Sequence, residues 1–285
     1  MMTIGQTRKL KSLIALAFCT LAAFFGLFWL IFILVDVLIH GIGALNPSLF
    51  TNDPVPPGIE GGGLRNAFVG HLIITSFATL IGVPVGVLGG TFLAEYARGR
   101  RIARVISVLS DIMVSVPSIV IGTFIYAVLV KPVGHFSGWA GAVALAIIMI
   151  PVVLRTTEDM LSLVPWTLRE AAFALGAPYY KVIIHVVYRA AAAGILTGIL
   201  LSIARVVGET APLLFTSFNN SFFSANMNGP VSSLTVTIFQ YAMGPYSNWH
   251  SQAWAASLMI TLFILVLTVL GRFILRWRYG KRPTI

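Results

Sequence analysis

Carboxylates are scarce in this chain: Asp and Glu number 9 against 19 Lys and Arg, and charged residues of both signs make up 10% of 285. No two of the carboxylates cluster in a way that reads as a general acid/base dyad. The single cysteine, Cys19, excludes an intrachain disulfide and a thiolate metal cluster. His40, His71, His135, His185 and His250 are scattered without metal-ligand spacing. Neither a Gly-x-Ser-x-Gly nucleophile elbow nor a phosphate-cradling Gly-x-x-x-x-Gly-Lys-Ser/Thr occurs, since the one Gly-Lys, Gly280-Lys281, runs into Arg282. If ATP drives this protein, another chain must hydrolyse it.

What the chain has instead is apolar length. Hydrophobic residues reach 58% and the mean hydropathy is +0.92, which places the chain among all-α integral membrane proteins. A spanning helix needs about 20 apolar residues. Six such stretches follow one another at about 13–38, 67–94, 105–130, 139–154, 190–215 and 254–275, in one membrane domain over 1–285. The fourth is short and continues as helix through Arg155 to Asp159. The first is much longer than a signal-peptide core and lacks a small-residue cleavage pattern, so it reads as a retained anchor.

The net charge of +10 does not point to nucleic acid, because the basic residues sit at the ends of the apolar stretches. Apart from Arg205 within the fifth stretch, only Arg65 and Lys131 fall on one side of a six-span layout and all other Lys and Arg fall on the opposite side. That asymmetry puts both termini in the cytoplasm. No internal repeat supports an inverted-repeat transporter.

In chain order, Gly41 to Asn66 is a Gly- and Pro-rich loop. Gly82, Gly86 and Gly90 recur every fourth residue of the second span, a face on which a neighbouring backbone can approach closely. Pro117, within Ser115 to Gly122, predicts a kink in the third span. Residues 161–189 form the longest cytoplasmic loop. Within it Arg169-Glu170-Ala171-Ala172-Phe173-Ala174-Leu175-Gly176 is a water-compatible helix that needs a partner outside the lipid. Thr167 three residues before Glu170 predicts a capping box at its start, and Gly176 with Pro178 predicts its stop. Residues 234–243 read as an interfacial or re-entrant helix.

Arg205 and Glu209 lie inside an apolar stretch, where ionisable residues are costly and mark function or a partner. Their spacing puts them on one helical face. Two readings stand side by side: the two neutralise each other, or pair with Asp111, and hold the bundle; or Arg205 faces an anion path, because its planar donors match an oxyanion. Ser115, Ser118, Thr210 and Thr216 offer hydroxyls along such a path, or bond a carbonyl one turn back. His71 is expected at the interface, not as a ligand. An ion-driven transporter with Asp111, Arg205 and Glu209 as a proton relay and a non-transporting scaffold are the competing classes.

Glu170-Ala171-Ala172 followed by Gly176 resembles the EAA loop of bacterial ABC-importer permeases. The family's following Ile-x-Leu-Pro is replaced by Val186-Val187-Tyr188-Arg189. Glu60 to Leu64, Leu93 to Ala97, Ser115 to Gly122, His135 to Gly141, Arg155 to Glu158 and Ala204 to Leu213 resemble the phosphate-importer branch of that family. The resemblance implies a type I ABC-importer permease fold in the bacterial cytoplasmic (inner) membrane. It also implies a PstC-like second permease that shares the path, two copies of a PstB-like ATPase that hold ATP and Mg²⁺, and a PstS-like extracytoplasmic phosphate-binding protein. Arg169, Glu170, Ala171, Ala172 and Gly176 then dock on the ATPase. Arg205, with Glu209, Asp111, Ser115 and Ser118, borders the path. A permease for another oxyanion is the alternative within the class.

Overall fold

The computed structural model describes residues 4–279 apart from 57 and 60. Glu60 of the glycine-rich match, Lys281 and Arg282 lie outside the described residues. The described chain is helical, without strands. It runs α1 (Ile4–Gly43), α2 (Ser48–Thr51), α3 (Arg65–Thr91), α4 (Arg101–Ser115), α5 (Ser118–Ile125), α6 (Lys131–Val133) and α7 (Gly138–Ser162). It continues through α8 (Trp166–Ala174), α9 (Tyr179–Val182), α10 (Tyr188–Val207), α11 (Ala211–Thr216), α12 (Leu234–Ala242) and α13 (Ser247–Tyr279). Single π-helical turns at Phe92–Tyr96, Tyr126–Val130 and Ile183–Val187 extend α3, extend α5 and lead into α10. Such turns are frequent at functional sites. Among the described residues, 5 helices are long and apolar enough to cross a membrane, and the bent pair α4 and α5 makes a sixth if it counts as one span.

The centre of the bundle is α3 laid along α7. A Cβ added at Gly82, Gly86 or Gly90 would meet Met149, Val153 or the Leu154 carbonyl at 3.1, 2.7 and 2.5 Å. The glycines therefore do the packing that their spacing predicts: in a membrane, where lipid is as apolar as Leu, close backbone approach supplies the dispersion contacts that hold helices together. Because the contacts advance together along both helices, α3 and α7 run parallel. Ile74 and Ala78 of α3, Leu145 and Met149 of α7, Ile121 of α5, Val206 of α10 and Leu213 of α11 close one core around this seam. A second cluster, with Leu161, Val164, Val182, Val187 and Ala191, lies at the end where α7 hands over to α8. Helix α1 touches α13, where Gly41 fits against Leu258 and the His40 ring stacks on Trp254.

Two of the expected continuous helices are interrupted. The kink predicted at Pro117 is a full break in which Val116 and Pro117 are both extended, with ψ 130° and 135°. The two limbs, Arg101–Ser115 and Ser118–Val133, are bent by 101°. Proline lacks the N–H that would continue the ladder and pushes the residue before it out of the helical region. The helix expected to run on to residue 215 stops at Val207, and the chain restarts as α11 with Pro212 in its first turn. Residues 234–242 form a helix with buried Leu234, Val236 and Tyr241.

Candidate functional site

The expected docking segment is α8. It starts earlier than a capping box at Thr167 requires: Pro165 precedes the first helical residue, Trp166, and no side chain caps the end. The fixed φ of Pro165, −59°, already sets the entry, so Thr167 lies within the first turn. The stop is as the sequence reads. Gly176 takes φ +79°, its N–H reaches Phe173 O at 2.8 Å and the Ala177 N–H reaches Ala172 O at 3.2 Å. This is a Schellman closure, for which a residue without Cβ is favoured.

The residues of this segment divide by face. Glu170 and Ala171 are exposed, Ala172 is half-buried, and Leu175 after the helix is 89% exposed. Arg169 is turned inward and is 2% exposed. Its Nη2 donates to Glu95 Oε1 at 2.5 Å and its Nε to Glu95 Oε2 at 3.3 Å. Nη1 donates to Val164 O at 2.7 Å, and Nη2 also to Leu161 O at 3.1 Å. Arg169 thus has its partners within this chain, and the outward surface of the segment belongs to Glu170, Ala171 and their exposed neighbours. Tyr179, at the start of α9, donates from Oη to Glu95 O at 2.8 Å and lies 3.2 Å from Glu95 Oε2.

The residues set along a path fall into two separate ion-pair groups. Asp111 does not reach Arg205 or Glu209. It accepts from Arg155 Nε at 2.8 Å and Nη2 at 2.5 Å, while Arg155 Nη1 donates to Glu158 Oε2 at 3.0 Å. Ser115 donates to Asp111 O at 2.8 Å and Thr216 to Pro212 O at 2.7 Å, each one turn back. Ser118 is half-buried at the first turn of α5.

Arg205 and Glu209 do approach each other, though not on one continuous helix, because α10 ends at Val207. Arg205 Nε and Glu209 Oε1 are 3.9 Å apart, with the arginine side chain 44% exposed. Among the described residues the Arg205 guanidinium donates no hydrogen bond. The Glu209 backbone is held instead, its carbonyl accepting from Thr235 Oγ1 at 2.9 Å. Packing sets the relation between the two groups. Gly198 of α10 lies against Thr156 of α7, where an added Cβ would sit 2.1 Å from the Thr156 methyl. Arg155 is therefore level with the residues beside Gly198, and Arg205 is about two turns, or ~10 Å, further along.

His71, placed by the sequence near the outer end of the second span, is buried in the bundle at 4% exposure. Both ring nitrogens lack hydrogen-bond partners among the described residues. Val207 of α10, Leu234 of α12 and Phe263 of α13 lie around this histidine.

Three site residues escape pattern reading: Glu95, Arg155 and Tyr179. Arg155 and Glu95 stand inside segments that resemble the family, but periodicity gives neither a partner, and Tyr179 has no signal of its own. The one signal for Arg155 is its place directly after Leu154, on the same helix, Gly138–Ser162, as the fourth apolar stretch.

Residues 82–278 match the profile of the family described as binding-protein-dependent transport system inner membrane component. The chain is 53% identical over 265 residues to the phosphate transport system permease protein PstA of Pasteurella multocida, covering 93% of this chain and 94% of that one. It is 49% identical over 267 residues to the PstA of Yersinia pestis, covering 94% and 90%. Among solved structures, a chain of the MetNI methionine ABC transporter superposes with a TM-score of 0.55 at 21% identity, over 75% of this chain and 94% of that one, a likeness of fold alone. The chain belongs to the family of binding-protein-dependent transport system inner membrane components, in the branch that holds the PstA permease proteins.

Proposed function

We propose that this chain is a permease subunit of an ATP-driven importer of inorganic phosphate and that it forms the translocation path together with a second, PstC-like permease. The relatives named as phosphate transport permeases support the substrate. The observation that bears on mechanism is Arg205: its guanidinium is partly exposed and held by Glu209 only at 3.9 Å. Its donors therefore remain free for an oxyanion, which their planar arrangement matches. Arg155, by contrast, is occupied by two carboxylates. A single loosely held cation suits transport of a strongly hydrated anion, since a site that binds weakly also releases.

In this reading the termini and α8 face the cytoplasm, and the exposed Glu170 face of α8 docks on a PstB-like ATPase present in two copies. That ATPase holds ATP and Mg²⁺, and a PstS-like binding protein delivers phosphate from outside. This chain performs no covalent chemistry. ATP binding by the partner displaces α8, and the packed helices relay the displacement to alternate access. The test is phosphate uptake and ATP hydrolysis by the assembled complex in proteoliposomes. Arg205→Gln is expected to abolish uptake while ATP hydrolysis continues. Unchanged uptake by the variant, or uptake by the permeases without any ATPase, would overturn the reading.

A further inference from the structure

We infer that Glu95 is a positioning residue that locks the docking helix α8 to the end of α3, so that the two move as one body and displacement of α8 reaches the α3–α7 seam. This rests on the reading of α8 as the element moved by an ATPase.

Glu95 and Arg169 form the most enclosed ion pair among the described residues, with side chains 1% and 2% exposed. The other pairs there are far more open: Asp111 of the Arg155 pair is 58% exposed and Arg65 of the Asp53 pair 42%. An ion pair excluded from water is hard to separate, because each charge left alone keeps its desolvation penalty without its counter-charge. It is a rigid link where an exposed pair is a loose one.

The link joins four elements. Arg169 belongs to α8, and its remaining donors are held by the Leu161 and Val164 carbonyls, at the end of α7 and just beyond it. Glu95 belongs to the π-helical turn Phe92–Tyr96 that ends α3. Its own carbonyl accepts from the Tyr179 hydroxyl, at the start of α9 and hence of the helix leading into α10. The Tyr179 ring stacks on Phe173 of α8 at 5.8 Å between centroids and meets Tyr96 edge-on at 5.4 Å. One turn earlier on α3, the Thr91 hydroxyl lies 2.6 Å from the Tyr188 hydroxyl of α10. A shift of α8 cannot be absorbed locally without breaking the ion pair and the tyrosine bond. It passes instead to the end of α3, where Gly90 already lies against the α7 backbone.

Two measurements test this on the complex of both permeases, the ATPase and the binding protein. The first needs no phosphate transport. With Cys19 replaced by serine, spin labels at the exposed Thr167→Cys on α8 and Arg98→Cys beyond the π-turn report the separation of the two bodies with and without ATP. The expected result is a distribution of separations whose mean and width stay the same when ATP binds and that broadens on Glu95→Gln. A wild-type distribution whose mean shifts on ATP binding overturns the inference whatever the substrate is.

The second measurement is the number of phosphate ions transported per ATP hydrolysed. Glu95→Gln keeps the size and an acceptor but removes the charge, and Tyr179→Phe removes one hydroxyl in case the first variant assembles poorly. Both are expected to lower the ratio, Glu95→Gln by about tenfold, within the range of measured couplings between sites. A purely structural role would lower yield and both rates together and leave the ratio unchanged, and that result overturns the inference. Absence of ATP-dependent phosphate uptake in the wild-type complex refutes the proposed function instead, and the label separation still decides the role of Glu95.

Discussion

Gly90→Ala is expected to weaken the α3–α7 seam at the point where the Glu95 turn meets the bundle. The new methyl would lie 2.5 Å from the Leu154 carbonyl oxygen, 2.7 Å from Thr157 Cβ and 3.0 Å from the Glu158 nitrogen. Two of these three are backbone atoms of a helix and cannot rotate away. Since carbon and carbonyl oxygen settle at about 3.3 Å or more, the helices must part by roughly 0.8 Å. A gap of that size forfeits about a quarter to a half of each dispersion contact it opens. Overpacking costs about 1–3 kcal/mol, and backbone contact puts this site near the upper end. The better helix propensity of alanine returns up to about 1 kcal/mol, which leaves a net loss of about 2 kcal/mol, or roughly thirtyfold in the folded-to-unfolded ratio. Reversible unfolding in bicelles, followed by steric trapping, measures this. Gly26→Ala on α1 is the control, because nothing lies within 4 Å of its new methyl, and it should leave stability unchanged or raise it slightly. A Gly90→Ala protein as stable as wild type, or an equal loss in Gly26→Ala, would refute the reasoning.

Glu170→Lys should leave stability within about 0.5 kcal/mol, as at other exposed positions, yet abolish co-purification of the ATPase; retained ATPase would remove Glu170 from the docking face. Asp111→Asn, at an exposed pair, should cost no more than about 1 kcal/mol in the same unfolding assay. Arg169→Met, by contrast, leaves Glu95 buried without its counter-charge and should cost about 3–5 kcal/mol; equal losses in the two variants would show that burial does not set the difference. Leu175→Ser should leave the unfolding midpoint in place and weaken ATPase binding, read by titration of the purified permease pair.

Much of the fold can be read from the chain because hydropathy and helix stops are properties of neighbouring residues. The run of apolar stretches marks an all-helical membrane protein, the spacing of Gly82, Gly86 and Gly90 foretells a close helix seam, and Gly176 foretells the end of α8. The same residues that carry the family resemblance locate the segment proposed to dock. What only the tertiary structure decided is which charges meet and which way they face. Arg169 looks like part of an outward motif, yet it turns inward because its partner, Glu95, lies 74 residues earlier on another helix. Asp111 is claimed by Arg155, 44 residues away, which leaves Arg205 loosely held. Pro117 signals a local disturbance, but whether the limbs part slightly or turn by 101° depends on what each packs against. Local preference acts over about one helical turn, whereas ion pairing in a low-dielectric interior is settled by which elements are brought side by side.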